Sequence, residues 1–434
     1  MDENKKILMI CHYYPPLADV GSKRSVAFSK YFRKYGWTPY VLSIKNPDKN
    51  FCIIGNESPA PETHCEYTYS IFNSFTLFGK INGLLTRMSR WVGIEIKRNY
   101  FYDFFCIPDL FLGWLPFTAF HAYKMIRKYN IDLIYSSCPP FSSALIGLIL
   151  KGITKKPLII DFREAYALRF KSLSWLYKKP YIRKIIDRKI EEMLLKNCNL
   201  FVIVTEDLRK LYIKQYPQYK EKMFTVYNGF DNNTSPGLKK ELKYEKFTIF
   251  YAGRFFYETD PIPFFKALSS LKIQKKINSN HFQFLYYGKE WRLIQFISKK
   301  YHIDDIVISQ PQTTYSKVLE SMSKSHIGLL RNMQWAIPVK LFDGILLDLP
   351  FLATIPVGEA EDMLKKYSPN SYIVREESVD EISRAILDAM SAHINGRKTS
   401  RDITEFMKKY SMENLTVQLM KIIKIKILTT DGKI

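Results

Sequence analysis

The sequence predicts an α/β protein of two Rossmann-like domains that face each other across a cleft, each built on a parallel sheet. Three observations lead there. Short apolar runs, "KKILMICHYY" (5–14), "IDLIYSS" (131–137), "KPLIIDF" (156–162) and "NLFVIVT" (199–205), alternate with helix-periodic segments. That pattern marks strands buried on both faces and joined by crossover helices. A polar stretch, "NNTSPGLKKELKYE" (232–245), has a Pro-Gly turn and no apolar period, and the strand–helix rhythm restarts beyond it. A chain of 434 residues is also long enough to bury two cores.

The elements follow in order. "KKILMICHYY" enters a loop, "VAFSKYFRKYG" reads as a helix stopped at Gly36, and "TPYVLSI" (38–44) is the next strand. Residues 46–120 are irregular, aromatic and basic. A helix, "FHAYKMIRKYN", leads into 131–137, "PPFSSALIGLILKGI" is helical, and 156–162 is a strand. A charged helix covers roughly 178–197, then come the strand at 199–205, the helix "EDLRKLYIKQY" and a closing strand and turn at 223–231. The second half repeats the order from "FTIFYAG" to "VDEISRAILDAMSAH". Domains of 1–231 and 246–404 result, with 232–245 as the linker and a helical tail at 405–434 that packs back on the first domain.

Hydrophobic residues make up 47% and aromatics 15%, which excludes a largely disordered chain. The formal net charge of +23 points to an anionic partner: nucleic acid, a phosphorylated small molecule or an acidic membrane surface. Six cysteines without a C-x-x-C pair suit reduced, packed thiols of a cytoplasmic protein rather than a disulfide or zinc framework. The apolar start meets a Pro pair too soon for a signal segment. The run 104–120 is broken by Pro108, Asp109 and Pro116, short of the ~20 residues of a span. A cytoplasmic chain, or one peripheral to the inner face of a membrane, is expected.

Ligands of such sheets sit beyond the carboxyl ends of the strands, so the residues after each strand are the candidates. "PPLADVGSKR" offers Gly21, where backbone can approach a phosphate, the charges of Lys23 and Arg24, and the N-terminus of the next helix. The same residues suit a plain turn with a solvated basic pair. In the second half, "YAGRFF" puts Gly253 and Arg254 at a strand end, as a bidentate diphosphate grip or an exposed structural arginine. "IIDFREAY" carries Asp161, Arg163 and Glu164 off a strand, to meet acceptor hydroxyls or to pair and cap the next segment. His12 and Ser137, the latter in "SSCPPFSS", border the first crevice, where a packing histidine and a helix-capping hydroxyl are the alternatives.

"AIPVKLFDGILLDLPFLAT" (336–354) holds Lys340 and Asp343 three residues apart in an apolar helix, hence on one face: a surface pair or a site. After the following strand, "PVGEAEDML" offers Gly358 and the next N–H groups to a phosphate, while Glu359 either nears the ligand or complements the helix dipole. Walker, G-x-G-x-x-G, H-E-x-x-H and G-x-S-x-G motifs are absent, which argues against nicotinamide enzymes and triad hydrolases.

Taken in order, "HYYPPLADVGSKR", "YSSCPPFSSALIG", "IIDFREAY", "VYNGFD", "YAGRF", "VKLFDGILLDLPFLAT" and "GEAEDML" resemble the GT-B glycosyltransferases of family 4. The likeness is greatest to the amino-sugar transferases that build bacterial O-antigens and capsules, and it spans nearly the whole chain. It implies an enzyme that moves a sugar from a nucleotide-sugar donor to a growing, lipid-linked or free, glycan acceptor, with retention and without a metal or other cofactor. In that frame Asp343 holds the ribose hydroxyls, Lys340 and Arg254 face the diphosphate, backbone near Gly358 and Glu359 faces sugar or phosphate, and the Gly21 loop with Lys23 and Arg24 closes on the donor. Arg254, Lys340 and Asp161 are the catalytic candidates, with Gly253 beside them, and His12, Ser137 and Arg163 lie on the acceptor side. Three positions depart from the family pattern: Trp335 where an acid stands, Thr259 where a Lys stands, and Asp348 where a small turn residue stands.

Two other readings stay open at this level. One is a catalytically inactive GT-B subunit that binds a glycan or a partner protein. The other, a nucleic-acid binder, is disfavoured because the basic residues are spread through the chain and no nucleic-acid module appears. The stretch "IFNSFTLFGKINGLLTRMSRWVGI" suits either a peripheral helix at an anionic membrane surface or a packed helix pair with solvated Lys and Arg.

Overall fold

The apolar runs form strands and the periodic segments form helices, in two compact units: Met1–Asn228 with Met412–Ile434, and Gly229–Ser411. The structure, a computed structural model, describes residues 4–17, 20–47, 58–72, 74–91, 105–168, 180–231, 242–255, 260–331, 334–375, 378–396 and 401–428. Most of the expected linker, Thr259, and residues 92–104 of the irregular region lie outside the described residues.

The first unit runs β1 (Lys5–Ile10), α1 (Val20–Lys34), β2 (Trp37–Ile44), β3 (His64–Thr68), α2 (Ser74–Trp91), α3 (Leu115–Tyr129), β4 (Leu133–Cys138), α4 (Ser142–Thr154), β5 (Leu158–Phe162), α5 (Tyr181–Asn197), β6 (Leu200–Ile203), α6 (Glu206–Gln215) and β7 (Met223–Thr225). Its parallel sheet has the order β3-β2-β1-β4-β5-β6-β7. β4, β5 and β6 are buried at every residue, which is why they read as unbroken apolar runs. Local chemistry ends and starts the helices. Gly36 follows α1 in the left-handed region (φ +85°). The Thr205 hydroxyl accepts the Leu208 N–H at the start of α6. The carboxylate of Asp109 accepts the Ser142 N–H (2.9 Å) and hydroxyl (2.6 Å) at the start of α4. Within the irregular region the structure adds β3 and places α2 in the stretch read as helical, and the strand of the strand and turn expected at 223–231 is Met223–Thr225.

The second unit runs β8 (Phe247–Ala252), α7 (Ile262–Ile273), β9 (Phe282–Tyr287), α8 (Trp291–Lys300), β10 (Val307–Gln310), α9 (Tyr315–Lys324), β11 (Ile327–Arg331), α10 (Val339–Leu346), β12 (Phe351–Thr354), α11 (Glu359–Tyr367), β13 (Tyr372–Val374), α12 (Val379–Ile394) and α13 (Thr404–Tyr410). Its parallel sheet has the order β10-β9-β8-β11-β12-β13. In both sheets the order reverses beside the first strand, at β1/β4 and at β8/β11, which opens a crevice at the carboxyl ends.

Phe351 shows how tightly α10 and the sheet are fitted. A Cβ on Gly344 would lie 2.1 Å from its ring and one on Gly328 2.7 Å, so glycine on both elements lets helix and strand close over the ring. Asp348 takes up φ +55° after α10, the conformation that favours a small or Asx residue, and is held by Arg401 Nε at 2.8 Å. Helix α14 (Met412–Ile423) belongs to the first unit. There Leu415, Leu419 and Ile423 enter the core formed by Phe28, Phe32 and Val202, each fully buried side chain contributing about 1.5–3 kcal/mol. Glu413 accepts from Lys34 (2.5 Å) and Tyr35 (2.9 Å) of the α1 end.

Candidate functional site

At the crevice of the second sheet, β8 ends in Ala252 and the chain turns at Gly253 and Arg254. Gly253 has φ +137°, a conformation few side chains adopt, and a Cβ there would stand 3.1 Å from Lys340 Nζ. Behind the turn lies an aromatic plate. The Tyr251 ring stacks on Phe255 (4.3 Å) and lies parallel to Tyr286 (6.1 Å). The Tyr251 hydroxyl donates to the Arg254 carbonyl (2.8 Å), and the Tyr286 hydroxyl lies 2.9 Å from the Gly253 carbonyl oxygen and 3.0 Å from the Glu290 carboxylate. The turn is thus pinned from below.

Lys340, one residue into α10, sends its ammonium over the face of Tyr251, 3.6 Å from the ring centre. Burial pushes its pKa down to about 7: among the described residues no carboxylate pairs with it, and the ring quadrupole replaces only part of the lost hydration. Arg254, half-buried, likewise makes no ion pair there. Arg331 ends β11, buried, and its charge bears on the Tyr251 hydroxyl. Register places it beside the turn: β8 and β11 pair at Phe250 and Gly328. Three cations therefore gather at the strand ends where the sheet order reverses.

Asp343 lies one turn beyond Lys340 and is 4% exposed. Its carboxylate accepts from the Tyr315 hydroxyl of α9 at 2.6 Å. The spacing does put lysine and aspartate on one helical face, but each has a different partner, so they form no surface ion pair. Gly358 (φ +153°) precedes α11 after β12, and Glu359 is the first residue of that helix. Trp335 sits in the left-handed region (φ +64°) ahead of α10.

The first unit arranges its candidates differently. Arg24 and Asp161, expected at the donor and at the reacting centre, are both buried and bind each other: Nε to Oδ2 at 2.7 Å and Nη2 to Oδ1 at 3.1 Å. Arg24 also donates to the carbonyls of Tyr227 (2.6 Å) and Val226 (3.0 Å), and Tyr135 donates its hydroxyl to Asp161. Both groups are thereby spent within the fold. Arg163, expected on the acceptor side, spends its guanidinium on the carbonyls of Cys138, Pro139 and Gly21. Gly21 itself stands in the first turn of α1 rather than in a loop, with Lys23 half-buried in the same helix.

Ser137 is buried, 3.4 Å from the Ser25 hydroxyl. His12, just past β1, is 2% exposed among the rings of Tyr13, Phe111 and Trp114. Burial, and then Arg163, pulls its pKa down to about 3, so the ring is neutral, and Nδ1 meets no hydrogen-bond partner among the described residues.

Sequence reading missed Arg331, Tyr315 and Tyr251. The signal for Arg331 was present: an arginine ending the apolar run "HIGLL" at a carboxyl strand end. Tyr315 and Tyr251 carry no such signal, because their partners lie 28 residues away on another helix and across the strand–helix packing.

Residues 92–234 match the family described as Glycosyltransferase Family 4. Among solved structures the chain is similar to sucrose-phosphate synthase from Thermosynechococcus elongatus (TM-score 0.66, 14% identity, 98% of this chain and 100% of that one). It is similar also to WaaG, a glycosyltransferase involved in lipopolysaccharide biosynthesis (TM-score 0.59, 13% identity, 97% and 99%). A third likeness is to S. aureus MnaA, solved with UDP (TM-score 0.52, 11% identity, 97% and 96%). No curated protein matches the sequence.

Proposed function

We propose that this chain, a glycosyltransferase of family 4 with the GT-B fold, moves a sugar from a nucleotide-sugar to a growing surface glycan, such as a lipid-linked O-antigen or capsule precursor, in the cytoplasm. One observation carries the reading: Lys340, Arg254 and Arg331 converge on the Gly253 turn, with no carboxylate bonded to Lys340 or Arg254 among the described residues. Lys340 and Arg254, with no carboxylate bonded to either among the described residues, suit a diphosphate at the crevice of a parallel sheet, which hydrogen-bonds and neutralises them together.

In this reading Arg254 and Lys340 grip the diphosphate, and Arg331 supplies the charge that Thr259 does not. Asp343, oriented by Tyr315, accepts the ribose hydroxyls, and the N–H groups after Gly358 face phosphate or sugar. When the anomeric carbon–oxygen bond breaks, the electron pair stays on the diphosphate. The acceptor hydroxyl oxygen bonds to the same face of the sugar, and its proton passes to the departing phosphate. Negative charge grows at the leaving group, so the cations bind the transition state more tightly than the ground state. That is the task a metal performs in other sugar transferases, and here no metal is needed. On the first unit, the neutral His12 with its unbonded Nδ1 is the group we assign to an acceptor hydroxyl.

A thermal-shift panel of UDP, GDP, CDP and their sugar conjugates tests the donor. Selective stabilisation by one nucleotide family, followed by release of that nucleotide when a glycan acceptor is added, is expected. A panel in which no nucleotide raises Tm overturns the reading.

A further inference from the structure

The donor-side groups of the second unit stand at the N-terminal ends of two helices that flank β12, with Lys340 and Asp343 on α10 and the N–H groups after Gly358 on α11. Residues 401–410, which include α13, touch both helices along their length. At the C-terminal ends one guanidinium serves both. Arg401 Nη1 donates to the carbonyls of Ile345 on α10 and Tyr367 on α11, the latter at 3.2 Å, and Nε meets the Asp348 carboxylate just past α10 at 2.8 Å. Lys366 of α11 donates to Glu405 at 2.8 Å, an exposed pair of little worth by itself. In the middle, the fully buried Phe406 has the Phe342 ring of α10 at 6.2 Å and the Tyr367 ring of α11 at 5.2 Å.

The other end of the segment reaches the donor side. The Tyr410 ring lies 5.5 Å from Phe342, the neighbour of Asp343. Burial raises the pKa of its phenol, and the charges of Tyr367 and of Glu359, the first residue of α11, add to the rise. Phe230 backs the segment: its ring stacks on Phe406 at 5.4 Å, and its N–H donates to the Tyr410 carbonyl at 3.2 Å. A lone cation at a helix C-terminus is an ordinary cap. Arg401 differs, because its rigid planar fork binds two helix ends and the turn beyond one of them, and so fixes those acceptors relative to each other. Burial lowers the Arg401 pKa and Asp348 opposes that shift, so the carboxylate at this turn is what keeps the fork charged. α10 has further ties, to the Phe351 ring through Gly344 and to α9 through Asp343 and Tyr315. The clamp therefore bears chiefly on where α11 stands.

We infer that Arg401 is a positioning residue of the donor site: with Asp348 it holds α11 against α10, and so fixes how far the N–H groups after Gly358 stand from the Lys340 ammonium. It touches no part of the donor. A diphosphate that bridges the two helix ends feels a change in their spacing, because charge-assisted bonds weaken when their donors are misplaced. A nucleoside held through its ribose at Asp343 does not feel it. The inference rests on the donor reading proposed above.

The test is calorimetry of the full chain and of Arg401→Met, Arg401→Lys and Asp348→Asn. The probes are the nucleoside diphosphate and the bare nucleoside of the base that the thermal-shift panel selects. Arg401→Met is expected to weaken the diphosphate about tenfold, the worth of one charge-assisted bond, and to leave nucleoside affinity at the wild-type value. Arg401→Lys, which keeps the charge without the fork, should recover part of the loss. Asp348→Asn, a change at an exposed side chain, should act in the same direction more weakly and without a change in Tm. A wild type that binds no nucleotide defeats the donor reading and this inference with it. Where the wild type binds and Arg401→Met matches it for both probes, the inference alone is overturned. Loss of nucleoside and diphosphate affinity in equal proportion also overturns it, and makes Arg401 a structural cap. Should Arg401→Met fail to fold, Asp348→Asn decides: weaker diphosphate with intact nucleoside binding supports the role, and unchanged binding of both removes it.

Discussion

Both sheets gather basic residues at their carboxyl ends and treat them in opposite ways. In the first unit Arg24 is neutralised by Asp161, and Arg163 is saturated by three carbonyls. In the second unit Lys340 rests on a tyrosine ring, and neither it nor Arg254 has an acid bonded to it among the described residues. A cation at the carboxyl end of a sheet is thus paired or left without an acid according to whether the fold brings a buried carboxylate within reach. The first arrangement satisfies its buried charges within the unit; the second leaves a desolvation cost uncompensated by an acid.

The largest effect separates these cases by stability. Asp161→Ala strands a buried guanidinium and should cost about 3–5 kcal/mol in chemical denaturation. Lys340→Met removes an unpaired ammonium and should leave stability unchanged or raise it. Equal losses in the two variants would dissolve the contrast.

Ligand binding comes next. Lys340→Met or Arg331→Met should each weaken binding of the preferred nucleoside diphosphate about 10- to 100-fold in calorimetry, the worth of a charge-assisted bond, while binding of the bare nucleoside is unaffected. The pH dependence sharpens the test. Because burial lowers the Lys340 pKa to about 7, above that pH a bound diphosphate must draw a proton onto it. Affinity should therefore fall as pH rises from 7 to 9, by at most about tenfold per unit, and Lys340→Met should flatten that slope.

A smaller effect concerns Asp343. The wild type should prefer a ribonucleotide over its 2′-deoxy form by about 1–2 kcal/mol, Asp343→Ala should erase the preference, and Tyr315→Phe should reduce it by loosening the carboxylate. Unchanged nucleotide affinity in Asp343→Ala would remove that residue from the site.

The smallest lies far from the crevice. His326 Nδ1 accepts the Thr248 N–H at 3.0 Å, and burial, with His393 and Lys243 nearby, lowers its pKa from 6.5 to about 4. The folded state holds this ring neutral, so its contribution is whole above pH 6.5 and is lost as pH falls toward 4. The loss is about 1 kcal/mol, since solvent reaches the ring. A denaturation series over that range should show it, and His326→Asn should flatten it.

The sequence by itself determined the succession of strands and helices, because doubly buried parallel strands must be apolar and crossover helices must carry a 3.6-residue period. It also determined which residues follow each strand, and with them Arg254, Lys340 and Asp343 as the group near one crevice. Its periodicity was too weak for β3, an edge strand in which only Thr68 is buried. What only the tertiary structure decided was the partner of each charge. That Arg24 would meet Asp161, 137 residues on, that Asp343 would take Tyr315 and leave Lys340 to a tyrosine ring, and that Arg331 would end beside the Gly253 turn all depend on strand order and register. A local sequence window records neither. Burial then converts those distances into energies, because a charge taken from water is costly until something replaces the water.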